Sequence, residues 1–229
     1  MIVLIQFPWS PYCLVQRRIL EFSGAAHRVK NIPPSDRSLI WKLTKERYYQ
    51  VPIIRDRHTI LFETGENSQV IAKYLDETFH LGLFPHEWDG IQDLLWRYIE
   101  NDVEGLTFRL NDAYFQEFVP IDEQMQYRRF KERKFGKGCL EQWREQEDSL
   151  GVELEQRLVP FDQMLARREF LLDAQPRFVD FDLWGMLANL QYSEHHIIPA
   201  AHMRLRQWFD RMTTIKFVAA KDGARTRRK

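Results

Sequence analysis

The chain has 229 residues, long enough for one large domain or two small ones, and its contents of 44% hydrophobic and 29% charged residues are those of a globular protein. Its 33 basic and 33 acidic residues cancel, so no global field favours nucleic acid or an anionic membrane. The apolar residues 1–5 lack a charged flank and are too few for a signal peptide or a membrane span, and no later stretch approaches spanning length. The two cysteines, Cys13 and Cys139, cannot form a disulfide framework or a metal-ligand set, so we expect a cytosolic protein with reduced thiols and no metal.

The first third of the chain alternates the patterns of short strands and short helices. Residues 2–7 are apolar and β-branched, which predicts a buried strand. Ser10 and Pro11 follow as a plausible N-cap and first helical residue, and the apolar positions after them predict a helix that ends near Gly24. A second strand at residues 27–31 completes a βαβ unit, whose crossover is nearly always right-handed.

The next elements complete an α/β domain over residues 1–78. The pattern predicts a short surface helix over residues 37–47 and then a hairpin over residues 51–62 that turns at residues 55–58. Apolar residues at helical spacing predict a last helix over residues 68–75. The predicted order of elements is therefore βαβαββα.

Everything after a linker at residues 79–90 has a helical pattern, so we expect an all-helical domain over residues 91–229. Apolar stripes predict four long helices, at residues 91–106, 140–161, 181–190 and 203–212. The run at residues 127–135 interleaves basic and aromatic side chains, as a nucleic-acid surface does. Because the whole chain is neutral, we interpret this run as a solvated junction between two helices, which could border the path of an acidic substrate.

The turn from Trp9 to Cys13, between the first predicted strand and helix, carries the first chemical signal. A helix N-terminus offers free backbone N–H groups and partial positive charge, so it stabilises an anion such as a thiolate. The Ser10 hydroxyl can donate a further hydrogen bond to that sulfur, although the same residue can be a plain N-cap. Cys13 is interpreted as a buried structural thiol, with mixed-disulfide chemistry as the alternative.

Two further signals follow along the chain, and each has two interpretations. Val51-Pro52 before an apolar strand is either a strand-starting proline or a cis peptide that leaves the backbone of Val51 free to pair with an extended peptide ligand. The run Glu66, Asn67 and Ser68 before the last helix of the α/β domain is either a simple cap or a ligand site. In the second interpretation its amides and hydroxyl receive a carboxylate, while an acid or amide holds an ammonium group.

The order and spacing of these signals make residues 2–76 resemble the N-terminal domain of the glutathione S-transferases. Ser-Pro-Tyr-Cys follows the first strand, Val-Pro precedes the third, and the run from Asn67 to Leu75 resembles that family's Glu/Asp-Ser-x-x-Ile-x-x-Tyr-Leu pattern. The resemblance implies the glutathione transferase fold, in which a thioredoxin-like α/β domain precedes an all-helical C-terminal domain. It also implies glutathione as the thiol co-substrate and a homodimer.

The resemblance further implies roles for individual residues. Ser10 matches the catalytic hydroxyl of the serine-type classes. The backbone of Val51 would pair with the cysteinyl part of glutathione, and Pro52 would be the cis proline. Ser68 would bind the γ-glutamyl carboxylate, and Asp180 would cap a core helix.

The chain departs from the family pattern at the glutathione contacts and at the core helix. Asn67 stands where an acid is usual, so the adjacent Glu66 is an alternative for the ammonium contact. Arg177 replaces the usual Ser or Thr three residues before the capping Asp180, which leaves that capping box incomplete.

We therefore expect an enzyme that adds the glutathione thiolate to a small electrophile in a cleft between the domains. The candidates for the electrophile pocket are two residues of the turn, Trp9 and Tyr12, and four residues of the helix predicted over 88–118, namely Tyr98, Asn101, Asp102 and Gly105. The alternatives are a glutathione-dependent isomerase, ether-cleaving or reductive enzyme, a thiol–disulfide oxidoreductase acting through Cys13, and a non-catalytic scaffold. Neither nucleic acid nor a membrane is an expected partner.

Overall fold

The α/β part of the protein is built on a four-stranded mixed sheet. The computed structural model describes residues 1–64 and 69–218. The strands are β1 (Ile2–Gln6), β2 (His27–Asn31), β3 (Ile53–Asp56) and β4 (Thr59–Phe62), in the order β2-β1-β3-β4. β1 is parallel to β2 and antiparallel to β3, with Ile2 opposite His27 and Ile5 opposite Ile53. The apolar β1 therefore lies in the interior of the sheet, as its composition predicts.

Three helices complete this half: α1 (Pro11–Ser23), α2 (Ser38–Leu43) and α3 (Val70–Phe79). Ser10 is the N-cap residue of α1 and Gly24 ends it with a positive φ of 70°, which glycine adopts without strain. The predicted order βαβαββα is confirmed. α2 is shorter than predicted because the chain leaves helical geometry after Thr44, where Lys45 and Glu46 both have positive φ.

The remainder of the described chain is helical, as predicted. Its helices are α4 (Asp89–Tyr98), α5 (Glu104–Asp112), α6 (Phe115–Phe118), α7 (Gln124–Phe135), α8 (Cys139–Glu145), α9 (Glu147–Met164), α10 (Phe178–Leu190) and α11 (Met203–Thr214). A π-helical segment, Ile99–Val103, joins α4 to α5. No helix of residues 1–64 and 69–218 is both long and apolar enough to cross a bilayer.

Two predictions for the helical half are corrected. The run at residues 127–135 is not a junction between helices, because it lies within helix α7. One face of this helix is buried at Tyr127, and on another face Arg128 pairs with Glu132, one helical turn later. The single helix predicted over residues 140–161 is two helices, α8 and α9, which meet at Gln146.

Helix α10 is the centre of the molecule and packs along α1, which joins the two halves. Asp180 caps it as the resemblance implies: its carboxylate accepts backbone hydrogen bonds from Arg177 at 2.8 Å and Leu171 at 2.9 Å, and one from the Trp208 indole at 2.9 Å. Gly185 lies at the closest approach to α1, where an added Cβ would stand 2.3 Å from a methyl of Val15.

Candidate functional site

The turn at the start of α1 lies open to a cleft between the two halves. Ser10 is partly exposed and lines the cleft; its side chain makes no capping hydrogen bond to the backbone of α1 and instead contacts the Cys13 thiol. Asn189 of α10 donates a hydrogen bond of 2.8 Å to the Trp9 carbonyl. The turn is therefore held in place from the helical half.

Cys13 lies beneath this turn and is fully buried. Burial raises the pKa of its thiol to about 12, although a hydrogen bond with the Ser10 side chain acts in the opposite direction. The thiol is therefore protonated at neutral pH, and the thiolate is the reactive form. These properties fit the interpretation of Cys13 as a structural thiol.

A cleft of about 850 Å³, counting its open mouth, extends from this turn to α5 and α7. We call it the thiol cleft; its lining residues are Phe7, Trp9, Ser10, Pro11, Tyr12, Pro34, Arg37, Gln50, Val51, Glu104, Phe108, Asp112, Tyr127, Phe130, Lys131, Lys134, Phe135 and Asn189. Its far wall, formed by α5 and α7, has four aromatic and four charged side chains among the described residues. Among its cations, Lys131 pairs with Asp112, while the exposed Lys134 makes no ion pair with another described residue.

Arg37 is the cation of the thiol cleft that packs on Phe7, just before the turn. Its guanidinium lies 4.3 Å from the centre of the Phe7 ring and donates hydrogen bonds to the carbonyls of Pro34 and Tyr49 at 3.1 Å and 3.2 Å. Its positive charge also acts on Cys13, so it reaches the region of the turn where a ligand thiolate would lie.

The Val51-Pro52 peptide bond is cis, as the resemblance implies. Val51 lines the thiol cleft opposite the start of α1. Among the described residues its backbone N–H and C=O have no hydrogen-bond partner. Both groups are therefore available to an extended ligand.

A second cavity of about 780 Å³ continues from the thiol cleft between the two halves. We call it the interdomain cavity; its lining residues are Tyr12, Val15, Gln16, Tyr48, Gln50, Val51, Pro52, Glu63, Gln69, Trp96, Glu100, Phe178 and Asp182. The two share Tyr12, Gln50 and Val51. Three of the residues that line the interdomain cavity are acidic and none is basic.

Each of these acids has a raised pKa, and burial is the main cause. The pKa of Glu100 is about 7; the Tyr12 hydroxyl donates to this carboxylate at 2.9 Å, and the nearby Glu104 opposes its ionisation. Asp182 is 2% exposed and its pKa lies well above the ordinary value. Glu63 also has a raised pKa, although it accepts backbone hydrogen bonds from Val70 at 3.0 Å and Ile71 at 3.2 Å.

The structure brings together five of the predicted site residues. Trp9, Ser10 and Tyr12 line the thiol cleft, while Val51 lines both cavities and Pro52 lines the interdomain cavity. The three residues of the last predicted signal, Glu66, Asn67 and Ser68, lie outside the described residues.

The four pocket candidates of the helix after the linker lie away from both cavities, which corrects their expected placement. Tyr98 donates a hydrogen bond to the Arg157 carbonyl at 3.0 Å, and Asp102 pairs with the Arg157 guanidinium at 2.8 Å. Asn101 and Gly105 are likewise absent from the lining of either cavity.

The cavity-facing residues of this helix follow every fourth position instead: Trp96, Glu100, Glu104, Phe108 and Asp112. The π-helical segment has more residues per turn than an α-helix, so it moves this row onto one face.

Sequence reasoning also missed four site residues outside that row, namely Gln16, Arg37, Asp182 and Asn189. Asp182 carried a usable signal, because it is a carboxylate inside the strongly apolar run of α10. The others carried none, because their neighbours in sequence are ordinary helix residues.

An α/β domain of this topology, with a helical half packed on it and an open cleft at the start of α1, defines the glutathione transferase class of folds. Residues 4–82 match the family described as glutathione S-transferase, N-terminal domain. The match spans the α/β part of the chain, from within β1 to just beyond the end of α3. No relative was found among the curated proteins by sequence.

Solved structures extend the similarity in fold over the whole chain. Glutathione transferase GSTFuA3 from Phanerochaete chrysosporium is 20% identical with a TM-score of 0.80, and the match covers 96% of this chain and 98% of that one. A glutathione S-transferase of Ceriporiopsis subvermispora in complex with glutathione is 18% identical with a TM-score of 0.75, over 93% and 96% of the two chains. Glutaredoxin 2 from Salmonella typhimurium in complex with glutathione is 17% identical with a TM-score of 0.71, over 94% and 96%.

Proposed function

We propose that the protein is a glutathione transferase-like enzyme that binds glutathione in the thiol cleft and transfers its thiolate to a small electrophile. The observation that carries the proposal is the position of Ser10 at the N-terminus of a thirteen-residue helix, where its hydroxyl makes no capping hydrogen bond. Ser10 lines the same cleft as Val51, whose backbone N–H and C=O have no hydrogen-bond partner among the described residues. Two similar structures, from Ceriporiopsis subvermispora and Salmonella typhimurium, are complexes with glutathione.

Glutathione is an extended peptide, so it fits the backbone pairing that Val51 offers. Its cysteinyl sulfur then lies at the N-terminus of α1, where the helix dipole and the Ser10 hydroxyl stabilise the thiolate. A carboxylate of the ligand is held by Arg37, whose planar guanidinium suits that partner. Contacts of the γ-glutamyl end with Glu66, Asn67 and Ser68 are part of the proposal.

The aromatic wall of the thiol cleft receives the electrophile. Trp9 packs against Phe118 and Tyr127 with ring centres 5.4 Å and 6.1 Å apart, which fixes its orientation. Phe108 and Phe130 line the same wall. A flat, largely apolar electrophile suits such a surface.

The reaction is a displacement at the electrophilic carbon. The glutathione thiol first loses its proton to solvent; the thiolate then forms a sulfur–carbon bond, and the leaving group departs with the bonding electron pair. Ser10 acts by donating its hydrogen bond to the thiolate before attack.

Replacement of Ser10 by Ala tests this assignment. We expect kcat/KM for glutathione and 1-chloro-2,4-dinitrobenzene to fall by about 100-fold, the effect of removing one donor to a catalytic anion. The thiol pKa of bound glutathione, followed by thiolate absorbance, should rise in the same variant. Ser149→Ala is the control, because Ser149 lies exposed on α9 and bonds only to the Gln146 carbonyl. An S10A enzyme with unchanged turnover and thiol pKa would remove Ser10 from the mechanism.

Thiol–disulfide exchange through Cys13 is the second candidate, and the similarity to glutaredoxin 2 favours including it. It predicts that Cys13→Ser abolishes activity with a glutathione mixed disulfide. The full burial of Cys13 and its raised pKa support the transferase instead. The proposal also includes a homodimer in the cytosol, and light scattering of the purified protein measures the oligomeric state.

A further inference from the structure

We propose that the interdomain cavity binds the primary ammonium group of the ligand, and that Glu100 and Asp182 of the helical half supply the counter-charge. The inference rests on the proposed function and deepens it, because it makes two residues outside the glutathione S-transferase N-terminal domain determinants of ligand choice.

The lining of the cavity is the first observation. Among the described residues it includes the carboxylates of Glu63, Glu100 and Asp182 and the side-chain amides of Gln16, Gln50 and Gln69, and no Lys, Arg or His. Aromatic rings of Tyr12, Tyr48, Trp96 and Phe178 form much of the rest. Acidic groups among aromatic rings suit an organic cation and repel an anion.

Two buried acceptor atoms without partners are the second observation. Asp182 is 2% exposed and Gln16 is 5% exposed, and among the described residues neither Asp182 Oδ2 nor Gln16 Oε1 has a hydrogen-bond partner. A buried acceptor left unpaired is costly, so a native structure normally supplies a donor for it. An ammonium group brings three N–H donors and a positive charge.

Glu63 is already committed to another role. Its two carboxylate oxygens accept the backbone N–H groups of Val70 and Ile71, which caps the start of α3. Asn67, where the related family usually has an acid, carries no charge. Of the described acids in the cavity, Glu100 in the π-helical segment and Asp182 in α10 therefore supply the counter-charge for a cation, alongside the contact proposed above for Glu66.

The polarity of the whole cleft is the third observation. Arg37 lines the thiol cleft, where the acids are Glu104 and the Lys131-paired Asp112, while Glu63, Glu100 and Asp182 line the interdomain cavity beyond the shared residues Tyr12, Gln50 and Val51. A peptide paired with Val51 can satisfy both ends only if its carboxylate faces Arg37 and its ammonium group enters the cavity. Charge complementarity of this kind fixes the direction of a bound ligand.

The test measures dissociation constants by calorimetry for two probes. One is S-hexylglutathione, and the other is the same molecule with hydrogen in place of its γ-glutamyl ammonium group. We expect the wild-type protein to bind the deamino probe at least tenfold more weakly. Asp182→Asn and Glu100→Gln should each weaken S-hexylglutathione about tenfold and leave the deamino probe unchanged. Glu153→Gln removes an exposed acid from α9 and should affect neither probe.

A thermal unfolding curve separates binding from folding. Asp182→Asn removes a buried carboxylate oxygen that has no partner, so we expect its unfolding midpoint to be unchanged or higher. Equal binding of the two probes to the wild-type protein overturns the inference and leaves the proposed function standing. Variants that weaken both probes alike overturn it as well. Failure of the wild-type protein to bind either probe overturns the proposed function itself.

Discussion

The contact between α1 and α10 at Gly185 yields a sharp prediction about one methyl group. An alanine Cβ at this position would stand 2.3 Å from Val15 Cγ2, 3.0 Å from the Pro11 carbonyl oxygen and 3.1 Å from the Val15 nitrogen. The valine side chain is stiff in a helix, and the other two atoms belong to the backbone. The helices can therefore accept the methyl group only by moving apart.

The size of the effect follows from two opposing contributions. Forcing a methyl group into a packed core costs about 1–3 kcal/mol, while replacing a glycine inside a helix by alanine gains about 1 kcal/mol. Gly151 in α9 provides the matched control, because an alanine Cβ there meets no atom within 4 Å. We expect Gly151→Ala to stabilise the protein by up to about 1 kcal/mol and Gly185→Ala to destabilise it by up to about 2 kcal/mol.

Guanidinium unfolding at pH 7 measures both variants, and the expected difference of about 1–3 kcal/mol between them corresponds to roughly 2–12 °C in melting temperature for a protein of this size. Gly185→Ala should displace Pro11, which follows Ser10 at the start of α1. The kcat/KM of the Gly185→Ala variant should therefore also fall, while that of Gly151→Ala is unchanged. If the two alanine variants were equally stable, α1 and α10 would not be in close contact at this point, and the structural argument would be refuted.

Three further predictions concern buried polar groups. Asp180→Ala leaves three buried donors without an acceptor and should lower the free energy of unfolding by about 3–5 kcal/mol, measured in guanidinium against the exposed Asp148→Ala as control. The pKa values of Glu100 and Asp182 are higher in the folded state than in the unfolded state, so the folded state binds more protons. The free energy of unfolding should therefore fall as the pH rises from about 4.5 towards 7 and beyond. Unfolding midpoints at pH 5, 6 and 8 check this slope, which Asp182→Asn should reduce; a steeper slope in the variant would contradict the assignment. Asn189→Leu removes the hydrogen bond to the Trp9 carbonyl and should lower kcat more than it weakens glutathione binding. Equal kcat in the variant and the wild type would show that this hydrogen bond does not position the turn.

The α/β half could be predicted from sequence because its signals are local. The β-branched run of β1, the Ser10-Pro11 helix start and the Val51-Pro52 strand start each lie within a few residues, and their order identified the fold. The cis state of Pro52 followed from the family resemblance, since the dipeptide alone favours a trans bond.

The interdomain cavity could not be predicted, because its acids come from three distant segments. Glu63, Glu100 and Asp182 meet only when α10 packs on α1, and no spacing in the sequence relates them. The face of the helix after the linker was misjudged for a different reason. Nothing in the sequence indicates the π-helical segment at Ile99–Val103, on which Glu100 faces the interdomain cavity, with Glu104 of α5 facing the thiol cleft one turn later.

The close seating of α10 on α1 also limits how this architecture can be recombined. The turn that carries Ser10 takes its position from Asn189 and from the space that Gly185 leaves beside Val15, both of which belong to the other half of the chain. In a chimera that joins this α/β half to the helical half of a relative, the turn would be misplaced unless α1 and α10 both came from the same protein. The pair α1 and α10 would therefore have to be exchanged as one unit.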